Sequence, residues 1–393
     1  MQNRRLFKNN GFTLIEMLIT MVLFIVVIMI TANIFEKMLP KTKIITKSEV
    51  SNIEGIVGLE MFRRDLEQAG FGLFTDVDHP PPSYTETDSA GYNDAPGGIP
   101  RAIVAGNNLT SGVLSGSDYL VIKGTNAALN PASQCWTRIK GLGSSKIWGA
   151  NDLQENRNDL EDQVVVVSQT YKNGELLRKL IYSPSSFTVP YRANGAAYEY
   201  PFAPTSDDKQ YYYYGIYSTD SENPAPRAPF NRTDYFVRRV AGDVPDRCSP
   251  TAGVLYKSVM NQDQDDSSVQ DIPILDCVAD MQVVLGWNTS SDPAGNAVDI
   301  YTDADGSNPS GSSSVVPDIN DPKEIRTRLK LIKVYILAQD GGFDKNYNNS
   351  STPMLVGEEG ETGDTKSIIL TDEKYEHYRW KLYRLVVRPK NLM

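Results

Sequence analysis

Apolar and polar positions fall into two regimes along this chain. From Phe12 to Ile30 the run is apolar apart from two threonines, and its single charge is Glu16. A stretch of about 20 such residues is long enough to cross a bilayer as a helix, so the pattern predicts a membrane-length helix over 12–39. Ahead of it lies a short basic leader, residues 1–11, with Arg4, Arg5 and Lys8 and a closing Gly11. Cations on that flank hold it on the cytoplasmic side. Pro40 removes a backbone donor and predicts a kink or a break. Helical spacing then resumes at Ile53, Ile56, Leu59, Phe62, Leu66 and Ala69. These steps of three and four predict an outward continuation of the helix over 40–74 with one apolar stripe, stopped by Gly70 and Gly72. Glu60, Arg63, Arg64 and Glu67 on the other face read as a solvated surface.

Beyond residue 75 the period changes. Strand-like runs occur at 118–123, 163–168, 176–182, 211–217, 235–240, 254–259 and 278–287, with longer ones at 325–338 and 378–387. In the first long run Thr327, Leu329 and Leu331 alternate with Arg326, Arg328 and Lys330, as a half-buried strand does. Lys333 breaks the phase, which predicts a bulge near Ile332. Tyr211 to Tyr214 read as an ordinary strand in which alternation buries half of the rings. The fold class is α+β: a long N-terminal helix packed on a β-sheet-rich globular head over 75–393. Three loop-rich insertions interrupt that head, at about 75–117, 185–232 and 288–322. Loops of such length serve contact or stay disordered.

Glu16 changes the meaning of the first helix. A carboxylate inside a membrane segment costs about 3 kcal/mol unless a positive group matches it. A new amino terminus at Phe12 is the nearest candidate. An ordinary secretory signal has its cleavage site after the apolar core, whereas here the only marked junction, Gly11–Phe12, comes before it. Cleavage there removes the charged leader and leaves the apolar helix on the mature chain.

The string Gly11-Phe12-Thr13-Leu14-Ile15-Glu16-Met17-Leu18 resembles the signature of type IV pilins and of type II secretion pseudopilins. The resemblance implies that a membrane prepilin peptidase cuts after Gly11, that the amine of Phe12 is methylated, and that Glu16 sets subunit register during assembly. It also implies a pilin-type helix, transmembrane in its first half. Blocks at Met61–Gly70, Pro273–Gln282, Tyr378–Tyr383 and Val387–Leu392 are similar to the PilW family of minor pilins, which are similar in turn to the J-type minor pseudopilins. That likeness implies a fibre-initiating subunit of a tip complex. Its partners would be other minor and major pilins through helix packing, an inner-membrane assembly platform and a PilY-type tip adhesin. The expected location is the inner membrane with a periplasmic head, and then the pilus on the cell surface. A type II secretion pseudopilin and a pilus-borne adhesin that binds a surface ligand through its loops are the alternative readings.

Charge and candidate chemistry narrow the remaining classes. The net charge is −10, or −13 without the three leader cations, which argues against a nucleic-acid partner. Cys135, Cys248 and Cys277 lie in the part placed outside the cytoplasm, where disulfides form. Cys248 and Cys277 are the candidate pair, because Cys277 opens a strand-like run after a modest loop. Cys135 is left either as a buried thiol or for pairing with another chain. Asp299, Asp303, Asp305 and Gly306 resemble a calcium loop, but Tyr301 and Ser312 stand where ligands are needed. Asn261, Asp263, Asp265 and Asp266 lack the glycine and the terminal acid. Both stretches read as solvated acidic loops, and no metal or other cofactor is expected. His79 and His377 sit in no catalytic motif, and no nucleophile elbow, P-loop or HExxH is present. The chain is read as a non-enzyme.

Overall fold

The structure, a computed structural model, describes residues 13–78, 82–87, 90–94, 98–139, 152–155, 160–172, 175–193, 198–204, 209–219, 226–263, 269–292, 295–349, 352–358, 366–370 and 372–392, with the backbone alone for 36–54. Two compact units divide the chain, Met1–Ser51 and Asn52–Met393. Helix α1, Leu14–Gln68, begins in the first and ends in the second. It does not end at Pro40. An interior proline removes one rung of the hydrogen-bond ladder, and the rungs on either side carry the helix through.

The last turns of α1 bury Gly55, Gly58, Leu59, Phe62, Leu66 and Ala69. From Leu59 through Phe62 and Leu66 to Ala69 this is the expected stripe; the turn before it is rotated, with Gly55 and Gly58 buried where Ile56 was expected. Ile56 and Val57 are exposed, at 59% and 62%, and the side chain of Ile53 lies outside the described residues. The glycines explain the rotation, because a Cβ on Gly58 would stand 2.3 Å from the Ile274 carbonyl oxygen and one on Gly55 2.6 Å from Leu275. Bare backbone therefore faces the sheet, and the larger apolar residues beside it turn outward. Gly70 and Gly72 end the helix at φ +80° and +70°, a region that glycine enters without penalty.

In chain order the strands are β1 (Ile103–Leu109), β2 (Ser117–Gly124), β3 (Trp136–Ile139), β4 (Glu161–Lys172), β5 (Glu175–Ile181), β6 (Val189–Pro190), β7 (Gln210–Thr219) and β8 (Asn231–Arg238). They continue as β9 (Gly253–Met260), β10 (Val269–Trp287), β11 (Ile300–Asp303), β12 (Ser310–Gly311), β13 (Leu329–Asp340), β14 (Met354–Val356), β15 (Lys366–Ile368) and β16 (Arg379–Val387). Nine strands form the main sheet in the order β1-β2-β8-β9-β10-β11-β12, with β13 on the other edge of β10 and β16 beyond it. A second sheet runs β3-β7-β4-β5 with β6 against β4, and β14 pairs with β15. The main core lies on the face of the large sheet that takes Phe62 and Leu66 of α1. Hairpin β14–β15 packs on the opposite side, against Tyr335 and Leu337 of β13.

Strand β10 organises the head. It bends at Cys277, whose φ is +56°, and its register with β9 slips on either side of Leu275. Its first half pairs with β9 and its second with β13 and β11. Between β9 and β11 one edge has no strand. There the Met281 N–H donates to Ser117 Oγ at 3.2 Å and the Val283 N–H to Asp118 Oδ2 at 2.7 Å. Two side chains from the start of β2 thus satisfy the buried amides that a strand would otherwise take.

Several expectations are corrected. Residues 322–328 are a helix, α2 (Pro322–Arg328), so the strand expected over 325–338 begins only at Leu329. The register slip in β13 falls at Lys330 rather than near Ile332, because Trp287 pairs with Leu329 while Gly286 pairs with Leu331. On β7, Tyr211, Tyr213 and Tyr214 are all buried, because that strand has apolar packing on both faces. The stretch expected as a loop over 75–117 contains β1 and is anchored by charge. Lys123 Nζ meets Glu86 at 2.8 Å and Asp94 at 2.6 Å, Arg232 reaches Glu86 at 3.2 Å and Asp234 at 2.7 Å, and Arg101 pairs with Asp94 at 2.6 Å. Three cations against three carboxylates leave this interior cluster balanced, as burial requires. The 288–322 stretch likewise contains β11 and β12.

Candidate assembly segment

Leu14–Phe35, 22 residues, is long and apolar enough to cross a membrane by length and composition. Its large side chains are exposed on every face, from Leu14 at 84% to Phe35 at 66%. A helix without a polar face suits lipid or other helices rather than a water-facing surface. Gly11 and Phe12, the expected cleavage junction and methylated terminus, lie outside the described residues.

Glu16 sits in the first turn of α1. Its Oε2 accepts hydrogen bonds from the Thr13 N–H and from Thr13 Oγ1, both at 2.9 Å, and the Glu16 N–H approaches Thr13 Oγ1 at 3.4 Å. This is a reciprocal capping box, in which the N-cap hydroxyl and the carboxylate three residues later satisfy each other's backbone amides. The carboxylate therefore has a local partner besides the amine expected at Phe12. The T-x-x-E spacing of Thr13 to Glu16 is the sequence signal for such a cap.

At the other end of α1 a second set of side chains fixes the helix to the head. Phe62 stacks on Tyr235 with ring centroids 3.8 Å apart. Asp65 accepts from Lys257 Nζ at 2.5 Å and from the Tyr235 hydroxyl at 2.7 Å. Burial, and then the Asp65 charge, raise the Tyr235 phenol well above its usual range, so it stays a donor.

Cys248 and Cys277 form a disulfide with a Cα–Cα separation of 5.0 Å. It ties the loop before β9 to the bend of β10. Cys135 is buried, with Sγ 3.3 Å from the Pro131 carbonyl. The acidic stretch near 300 is internally bonded: Asp299 accepts from Thr289, Asp303 from Asn308 and Asp305 from Ser307. Among the described residues no group of three or more His, Cys, Asp or Glu side chains is arranged to hold a metal ion. Asp265, Asp266 and His79 lie outside the described residues. His377 Nδ1 is 2.8 Å from the Tyr347 carbonyl.

Residues 6–32 match the model of the prokaryotic N-terminal methylation motif. Neither curated proteins nor solved structures give a match to the chain. The chain therefore carries a prepilin-type N-terminus: a methylation motif that leads directly into an apolar helix, as in type IV pilin-like proteins, and that implies processing by a prepilin peptidase.

Proposed function

We propose that this chain is a minor pilin of the PilW kind, which helps to initiate a type IV pilus as part of a tip complex with other minor pilins and an adhesin. The observation that carries the reading is the methylation motif over 6–32, with Glu16 the only charged residue at the start of an apolar helix. Removal of the leader frees an amine beside that carboxylate and leaves the helix in the inner membrane, with the head on the periplasmic side. An assembly platform then draws the helix out of lipid into a bundle of neighbouring helices. Extraction is tolerated because apolar surface exchanges acyl chains for side chains of like polarity rather than for water. The protein contributes shape and packing, not catalysis.

N-terminal sequencing of the mature protein, with the mass of its first residue, tests the reading. Phe12 bearing one added methyl group is expected. Retention of Met1 in cells with an active prepilin peptidase would overturn it. The same motif occurs in pseudopilins, so a second reading is a type II secretion subunit. Loss of surface pili on deletion of the gene favours the first, and loss of protein secretion with normal pili favours the second.

A further inference from the structure

Strand β16 pairs with β13 through nine consecutive residue pairs, from Arg379 opposite Asp340 to Val387 opposite Ile332, without a bulge. Among the described residues β13 is its only strand partner, so the other edge of β16 is open. Proteins usually blunt such an edge by shortening it, by bulging it, or by placing proline or charged side chains in it. Between Arg379 and Val387 only charge does so, which turns away like-charged edges and leaves a straight edge of about 30 Å to a strand of the opposite sign.

What the edge does carry is charge of one sign. The segment from Arg379 to Arg388 holds Arg379, Lys381, Arg384 and Arg388 and no carboxylate, in a chain whose net charge is −10. Arg379, Lys381, Arg384 and Arg388 are all exposed. Alternation places Arg379 and Lys381 on one face and Arg384 on the other. Asp344 and Glu358 meet the two arginines of the strand, whereas Lys381 Nζ rests over the Tyr383 ring at 4.6 Å.

We propose that the open edge of β16 is a docking site for an extended, acidic strand of another protein, which adds to the main sheet beside β16. Backbone hydrogen bonds along the edge supply affinity, and alternate side chains of the incoming strand supply selectivity. Carboxylates on one face of that strand meet Lys381, which has no carboxylate partner among the described residues, whereas Arg379 and Arg384 are already held by Asp344 and Glu358. A second copy of this chain is the wrong partner, because like edges bring the same cations together and like charges across a strand pair destabilise it. The edge belongs to the head, so no fibre is needed to test it.

Amide hydrogen exchange of the full-length mature protein in detergent micelles is the test. The probes are a peptide of alternating glutamate and valine and its lysine–valine counterpart. With the acidic peptide about tenfold above its dissociation constant, exchange of the alternate amides in 379–387 that point away from β13 should slow by roughly tenfold. High salt should weaken the protection, and the basic peptide should give none. Lys381→Glu should lose most of the effect, and Lys381→Gln part of it. Three results would each overturn the proposal: amides of 379–387 that point away from β13 already as slow as those of β13 in the free protein, equal protection by both peptides, or protection by neither. Concentration-dependent protection without peptide would replace the acidic strand by a second copy.

Discussion

Asp118 shows how far the setting of one side chain departs from its sequence. It is buried at the start of β2, with Oδ1 accepting from the Asn108 N–H at 2.8 Å and Oδ2 from the Val283 N–H at 2.7 Å. Burial pushes its carboxyl up to about 8, against the pull of those two amides and with help from the nearby Asp280 and Asp303. Between the ordinary carboxylate range and about pH 8 the folded chain holds a proton that the unfolded chain has released. Stability from this group is therefore full at acid pH and falls as pH rises, by up to about 1.4 kcal/mol per pH unit. Asp118→Asn removes that slope, and its amide nitrogen faces one of the two N–H groups at a pH-independent cost of about 1–3 kcal/mol. Denaturant unfolding from pH 5 to pH 8 should show the two proteins converging as pH rises. Parallel curves would sink the assignment. No pattern in the sequence marks this residue, because its role exists only where β10 passes the start of β2 with an edge unfilled.

Among elements, the junction of α1 with β10 is the most demanding. Gly58 lets the helix backbone rest on Ile274, and a methyl group there would sit 2.3 Å from the Ile274 carbonyl oxygen. Gly58→Ala should destabilise the protein by about 1–3 kcal/mol, since neither backbone can yield without moving its element. Ile56→Ala, one position pair away on the exposed side, should stay within about 0.5 kcal/mol. Equal effects in thermal unfolding would mean that the helix face is misassigned. The same contrast explains what the sequence reveals. Helical spacing finds the helix, but it places large apolar residues inside and cannot see that a glycine face seats closer than a leucine face. Continuous apolar runs such as Val164–Val167 in β4 and Val254–Leu255 in β9 are legible because burial on both faces needs nothing else. Strand β1, with Gly106 and two asparagines, is not, since it owes its form to pairing with β2. Alternation over 326–331 misleads, although the helix start was written beside it. Asp321 caps α2 by accepting from the Lys323 N–H at 2.8 Å, and Pro322 occupies its first turn. In the assembly segment Glu16 stands out as a lone charge in apolar sequence, whereas Thr13 gains meaning only as its hydrogen-bond partner.

At the scale of the whole molecule, the proposed role requires that a chain held in lipid by one segment be passed to a fibre in a defined register. The apolar side chains of Leu14–Phe35 give no register, because sliding one helical turn along a neighbour changes little in their burial. Glu16 can give it, and the capping box separates two ways of doing so. If the residue only closes the first turn of α1, glutamine serves as well, since its side-chain oxygen can accept the same Thr13 bonds. If its charge pairs with a freed amine at Phe12, on its own or a neighbouring chain, glutamine fails, because an uncompensated buried ammonium is far costlier than an exposed one. Glu16→Ala and Glu16→Gln should both insert into the inner membrane, since removing a charge favours the lipid phase. Both should then be absent from sheared fibres, while Thr13→Ser keeps the cap and is recovered in them at parental levels. Immunoblots of membrane and fibre fractions decide between the two. Recovery of Glu16→Gln in the fibre fraction would reduce Glu16 to a helix cap and would move the source of register to another part of the chain.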